Sequence, residues 1–246
     1  MTKKILYTLL FIYFSAFSAK PLQNVNIILQ KYISALGGEK QLNKLSTFQI
    51  KGTLQLHDTI TDIKPSDGRH GIFIFEGMLP HSYRMEEILD TMTYIDASNG
   101  NCDFDPDDQA AGYSRNIPDN IECNSLASPL GPLYYSWLKK LPVTIIDTCN
   151  QKDMIVLKIQ FISGRYYLIY LDAKSFHELR RDYIRGETYR VIKTTFFSHK
   201  KIYGLLFPTK WQEMHDYYPL QSIYTIEDIQ VNIPIDSSRF VKLKKK

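Results

Sequence analysis

The sequence predicts a mainly β protein with a little α: a curved antiparallel sheet forming a half-open β-barrel, covered by short helices. Three observations predict it. From Val143 onward the chain is almost entirely short apolar and aromatic runs separated by turn signals. An amphipathic helix near the start is stopped by Gly37-Gly38. Finally, seventeen tyrosines and thirteen phenylalanines are spread along the strands, against two tryptophans. Tyrosine offers an apolar body and a polar tip, which suits the wall and mouth of an apolar site.

The first element is a leader. Lys3 and Lys4 precede an apolar core from Ile5 to Phe17, and Ala16-Phe17-Ser18-Ala19 reads as a small-residue cleavage box. The apolar stretch is shorter than the roughly 20 residues that cross a bilayer. Residues 1–19 are therefore expected to be a cleaved signal peptide and 20–246 a single exported domain, periplasmic if the cell is bacterial. No cysteine follows the cleavage box, so no lipid anchor is expected there.

Val25, Ile28, Leu29, Tyr32, Ile33 and Leu36 then form one apolar helical stripe. Glu39 to Leu45 suits a second, short helix. Phe48, Ile50, Gly52, Leu54 and Leu56 alternate with Gln49, Lys51, Thr53 and Gln55, which is strand periodicity with one buried face. Residues 71–77, 82–88 and 91–96 supply three more strands, punctuated by Leu79-Pro80-His81 and Leu89-Asp90. Residues 96–124 are polar and rich in acids and turns. Asp103, Asp105 and Asp107 alternate as in a calcium loop, but no central glycine or closing glutamate follows, so a solvated loop is the better reading.

Residues 125–141 carry Leu126, Leu130, Leu133, Tyr134, Trp137, Leu138 and Leu141 at helical spacing, interrupted by Pro129, Gly131 and Pro132. A broken helix from Pro132 to Lys140 is expected, because proline is tolerated in a first helical turn. Lying between two strand-forming blocks, it can cover the sheet. The remaining strands are expected at 143–148, 154–161, 165–172, 177–184, 189–198, 205–215 and 222–232, with short connections.

Three cysteines are present: Cys102, Cys123 and Cys149. An oxidising compartment permits one bridge among them. Cys102 and Cys123 share the acidic loop, and closing it would stabilise the fold by about 3 kcal/mol. Pairings with Cys149 stay open. No CxxC or paired histidine suggests zinc, and no cofactor motif occurs.

The chemistry of an enzyme is not in evidence. There is no Gly-x-Ser-x-Gly elbow, no HExxH and no phosphate-cradling loop. Adjacent acids such as Glu86-Glu87 and Glu227-Asp228 point to opposite faces of a strand. The formal charge of +4 is mixed along the chain, which argues against a nucleic-acid binder. The terminal lysines Lys242, Lys244, Lys245 and Lys246 read as a solubilising end, with weak attraction to anionic lipid as the sharper alternative.

Three segments carry a likeness. The first is Tyr32-Ile33-Ser34-Ala35-Leu36-Gly37-Gly38-Glu39-Lys40-Gln41-Leu42 with the strand through Lys51-Gly52-Thr53. The second is Ile202-Tyr203-Gly204-Leu205-Leu206-Phe207-Pro208-Thr209-Lys210. The third is Ile226-Glu227-Asp228-Ile229-Gln230-Val231-Asn232-Ile233-Pro234-Ile235-Asp236. In these the chain resembles the LolA/LolB-like superfamily of outer-membrane lipoprotein sorting and carrier proteins. The resemblance implies a monomeric, non-catalytic periplasmic carrier that takes a lipid or the acyl chains of a lipoprotein into an apolar hollow. It also implies transient partners at the inner or outer membrane, and some relatives act as envelope sensors, so a sensor or protein-interaction module is the alternative. The hollow would be lined by Leu54, Phe73, Phe75, Tyr94, Ile169, Phe196, Leu206 and Ile226, with Leu133, Tyr134 and Trp137 on the covering segment. An arginine is expected in the hollow, with Arg84 and Arg165 as candidates. The acidic cysteine loop departs from the family pattern.

Overall fold

In a computed structural model the described residues are 24–58, 68–80, 82–90, 92–99, 130–149, 153–161, 164–185, 190–216 and 219–240. The expected leader, the acidic loop with Cys102 and Cys123, and the lysine tail lie outside them.

The apolar stripe becomes helix α1, Val25–Leu36, whose N-terminus is capped by the Asn24 side chain accepting from the Asn26 amide. Gly37 ends it at φ 128°, and the Gly38 amide returns to the Ile33 carbonyl at 2.9 Å. A methyl group on Gly37 would meet the carbonyl oxygen of Gly204 at 2.3 Å, so this stop also lets the helix end press against the tip of a hairpin. Helix α2 is a single turn, Glu39–Leu42.

Eleven strands follow: β1 Thr47–Asp58, β2 Arg69–Met78, β3 Ser82–Leu89 and β4 Met92–Ser98, then, after helix α3, Gly131–Lys139, β5 Val143–Cys149, β6 Met154–Gln160, β7 Tyr166–Asp172, β8 Glu178–Arg185, β9 Arg190–Ile202, β10 Leu205–His215 and β11 Leu220–Val231. They form one antiparallel sheet in the order β4-β3-β2-β1-β11-β10-β9-β8-β7-β6-β5. Every neighbour is a hairpin partner except β1 and β11, the first and last strands, which pair antiparallel within the sheet.

The half-open barrel expected from the sequence is not formed. Closure requires the terminal strands to meet. Here β4 and β5 are opposite edges of one open sheet that is not strongly curled. Alternation tells which side chains share a face, but carries no information on whether the edges join. Helices take the place of a facing wall: α1 touches both β10 and the edge strand β5, while α3 lies on β6.

One face of the sheet, here the inner face, holds Phe48, Ile50, Leu54 and Leu56 of β1, as the alternation predicts, together with Phe73, Ile155, Leu157, Ile159, Tyr167, Ile169 and Leu171. Ile28, Tyr32, Ile33 and Leu36 of α1 and Leu133 and Tyr134 of α3 pack into the same core. The opposite face is half wetted. There the 3-10 turn Ser237–Phe240 docks on β3 and β4, with Phe240 buried and Arg239 bonded to Glu76 at 2.7 Å and Glu86 at 3.2 Å.

Candidate ligand site beneath the helices

Between the helices and the sheet lies a small recess lined by Tyr32 and Leu36 of α1, Leu130 at the entry of α3, Glu178 and Arg181 of β8, Phe196 and His199 of β9, and Leu206 and Pro208 of β10. Its volume is about 20 Å³. That is room for about one water molecule, and an acyl chain does not fit without movement of a wall.

A polar clasp crosses this apolar recess. The Tyr32 hydroxyl donates to the Leu130 carbonyl oxygen at 2.9 Å, joining α1 to the start of α3. Burial pushes the Tyr32 hydroxyl well above its usual range, so it remains a neutral donor. On the sheet side, Arg181 donates Nε to Glu178 Oε1 at 2.7 Å and Nη2 to Oε2 at 3.1 Å, a bidentate pair. The guanidinium also lies 4.8 Å from the Phe196 ring centre. A residue-width gap accommodates the pair: Gly131 sits at φ +84°, and a methyl there would stand 2.6 Å from Arg181 Nη2 and 3.0 Å from Glu178 Oε2. The sequence marked Gly131 only as an interruption of a helical run. Its role is close approach to an ion pair. Burial first, then the neighbouring His177 and the Arg181 guanidinium, hold the His199 imidazole down at about 4, so it is neutral in this setting.

A second cluster lies on the inner face nearer the β4 edge. Phe73, Trp211 and Tyr224 form a triangle of rings with centres 4.9 to 5.6 Å apart, Trp211 stacked on Tyr224. The Tyr224 hydroxyl donates to Glu87 Oε1 at 2.6 Å. Glu213 of β10 shares the enclosure. Burial and the Glu87 carboxylate push its carboxyl up to about 7, with Arg181 and a Trp211 hydrogen bond opposing. Burial likewise raises Glu87, which Tyr224 partly offsets and Asp96 reinforces.

The structure places the sequence-expected lining as follows. Leu54, Phe73, Ile169 and Phe196 are buried on the inner face, with Phe75 and Ile226 half-buried against the same core. Phe196 and Leu206 line the recess itself. Leu133 and Tyr134 are buried in α3, and Trp137 packs partly against the core from the same helix. Tyr94 is 54 % exposed on the edge strand β4, away from the recess. Neither expected arginine lies in the recess: Arg84 is on the opposite face, paired with Glu86, and Arg165 precedes β7. Arg181 takes that position. Its one sequence signal is parity, since Arg181 and Tyr183 alternate with Asp182 and Ile184 along β8. The Glu86-Glu87 reading holds, with Glu86 and Glu87 on opposite faces. Among the described residues, no group of three or more His, Cys, Asp or Glu side chains could hold a metal ion.

Comparison with solved structures finds this fold in a domain assigned to outer-membrane lipoprotein sorting from Vibrio parahaemolyticus, with a TM-score of 0.52, 10 % identity, and coverage of 87 % of this chain and 94 % of that one. A LolA superfamily protein from Nitrosomonas europaea matches with a TM-score of 0.52 at 9 % identity, covering 87 % and 96 %. A DUF1329 family protein from Desulfovibrio piger matches with a TM-score of 0.51 at 12 % identity, covering 88 % and 97 %. At such identities the likeness is one of fold. No protein-family model matches the sequence, and no curated protein does.

Proposed function

We propose that this protein is a non-catalytic carrier in the periplasm that binds a lipid, or the acyl chains of a lipoprotein, between the inner face of its sheet and helices α1 and α3. The fold shared with a lipoprotein-sorting domain and a LolA superfamily protein supports this reading, as does the leader-like start of the sequence. The observation that carries it is the build of the helix–sheet seam. Its apolar walls come from α1, from Leu130 at the entry of α3 and from strands β9 and β10, and the helices are fastened across it by the Tyr32–Leu130 contact beside the Arg181–Glu178 pair of β8.

Because the recess holds about 20 Å³, ligand entry means that α1 or α3 swings away. Leu36, Leu130 and Leu133 then exchange contacts with the sheet for contacts between the sheet and an acyl chain. Each buried methylene contributes about 0.8 kcal/mol. Much of that is offset by the cost of opening, which keeps the ligand releasable.

Titration with a fluorescent long-chain fatty acid tests the reading. Saturable uptake is expected, competed by unlabelled phospholipid and lost in Leu206→Arg with the circular dichroism spectrum unchanged. Absence of saturable uptake by the folded wild-type protein would reject it. A second reading, an envelope sensor or interaction module, is favoured by the edge strand β4, where Met92, Tyr94 and Ile95 are all exposed. A stoichiometric protein partner with no bound lipid would select that reading instead.

A further inference from the structure

Tyr203 stands at the tip of the β9–β10 hairpin and is 66 % exposed, more than any other large apolar side chain among the described residues. Ile202 pairs with Leu205, so Tyr203 and Gly204 form a two-residue loop. Both have positive φ, 50° and 81°. This is the tight hairpin turn that favours asparagine, aspartate and glycine. Gly204 fills its place without strain. Tyr203 carries a bulky side chain into the left-handed region, which such residues avoid. At its exposure the ring gains little from burial. An aromatic held in a disfavoured conformation without packing points to contact with something outside the chain.

The loop abuts α2. A methyl on Gly204 would lie 3.5 Å from the Gln41 side chain, and one on Gly37 would meet the Gly204 carbonyl oxygen. Lys40 and Lys44 flank Gln41, while Lys200 and Lys201 lead into the loop along β9, and each of these lysines is exposed. Glu39 is the one acid in residues 37–44, and residues 198–210 contain none. The tip is therefore positive around an exposed aromatic ring, which complements an anionic surface. A protruding hairpin end offers no pocket for a protein partner's anchoring side chain. A bilayer needs none: tyrosine settles where headgroups meet acyl chains, and lysines reach the phosphates.

We propose that the β9–β10 tip, with Tyr203, Lys200, Lys201, Lys40 and Lys44, docks on the surface of an anionic phospholipid bilayer. Tyr203 enters the headgroup layer and the lysines lie among the phosphates. The tip adjoins the recess. Leu206 lines the recess two residues beyond Gly204, roughly 7 Å along the strand. Leu36, next to Gly37, lines it from α1. A chain docked by this tip holds that end of the recess close to the lipid, where an acyl chain would enter or leave. That consequence rests on the carrier reading, whereas the docking itself does not.

Flotation with lipid vesicles tests the docking, using protein purified from the periplasm of an expressing bacterium. Co-flotation is expected with vesicles containing phosphatidylglycerol and not with phosphatidylcholine alone, and it should weaken as salt rises. Lys200→Gln with Lys201→Gln should weaken it about 25-fold, since each lysine near an anionic surface contributes about fivefold. Tyr203→Asn separates two readouts. Asparagine suits the turn better, so the melting temperature should rise while vesicle binding falls.

Equal flotation with both kinds of vesicle, or none with either, overturns the proposal. A Tyr203→Asn variant that melts lower and binds as well assigns the ring to the fold and overturns it likewise. So does binding that survives these variants and is lost when Lys242→Gln, Lys244→Gln, Lys245→Gln and Lys246→Gln are made together. Uptake of fatty acid from solution is a separate measurement, because none of the substituted residues lines the recess. Vesicle binding without uptake rejects the carrier reading alone, and uptake without vesicle binding rejects the docking alone.

Discussion

The hydroxyl of Tyr32 donates to the carbonyl oxygen of Leu130 at 2.9 Å, across 98 residues of sequence. Tyr32 is 1 % exposed, so this bond joins the two covering helices in the dry interior rather than at a surface. Tyr32→Phe keeps the ring and removes the bond to the buried Leu130 carbonyl. A loss of about 0.5–1.5 kcal/mol is expected in denaturant unfolding, with faster uptake of a fatty-acid probe. Slower uptake, or unchanged stability, would show that the contact does not fasten the helices.

Gly131 has no room for a side chain. Gly131→Ala strains a residue at φ +84° and brings a methyl to 2.6 Å from the Arg181 guanidinium. A destabilisation of about 1–3 kcal/mol is expected from overpacking together with backbone strain. Thermal melting of the variant checks it, and an unchanged melt would mean that α3 shifts freely on the sheet.

The Arg181–Glu178 pair predicts an asymmetry between single and double substitution. Arg181→Met alone leaves the Glu178 carboxylate, 7 % exposed, without its partner. Losses of about 3–5 kcal/mol are typical of a broken buried pair. Replacing both, as Arg181→Met with Glu178→Leu, should recover most of that loss. A double-mutant cycle measures the coupling, and additive losses would place the pair outside the helix–sheet clasp.

His199 predicts an acid limb of stability. Its pKa is held at about 4 in the fold, below the ordinary histidine value, so the unfolded chain binds a proton that the folded one refuses. Stability from this source is full above about 6.5 and is lost as the pH falls towards about 4. His199→Gln should flatten that limb in melting experiments between those values. A limb of undiminished slope in the variant would assign it to other groups.

On the opposite face, Arg239 anchors the segment after β11 to Glu76, whose side chain is 5 % exposed, while Phe240 is buried beside it. Phe240→Ala should cost about 3–5 kcal/mol and make the residues beyond β11 an early site of proteolysis. Arg239→Ala should cost less, since its side chain is 43 % exposed. Limited proteolysis of both variants, read by mass spectrometry, orders the two effects.

Much of the local structure was legible in the residues. The stripe from Val25 to Leu36 and the glycines after it define α1, the alternation from Phe48 to Leu56 defines the inner face of β1, and Pro132 marks the first turn of α3. These are short-range signals of period and capping. What depends on distant pairing was not legible. The β1–β11 register, the open edges at β4 and β5, and the helices filling the place of a barrel wall are set by contacts between residues far apart in sequence. The site divides in the same way. Phe196 and Leu206 could be chosen by parity and apolarity, whereas Arg181 could not be preferred over Arg84 without knowing which face each strand turns to the helices. Glu87 and Glu213 are more than a hundred residues apart, and strand pairing is what turns both to the inner face.

Carriage of an acyl ligand in this protein requires the covering helices to leave the sheet as the ligand enters. Amide hydrogen exchange with and without saturating fatty acid measures this directly. Faster exchange is expected in α1 and α3 of the liganded protein, with β6 and β7 unchanged. A bound ligand that leaves both helices as protected as before would contradict it.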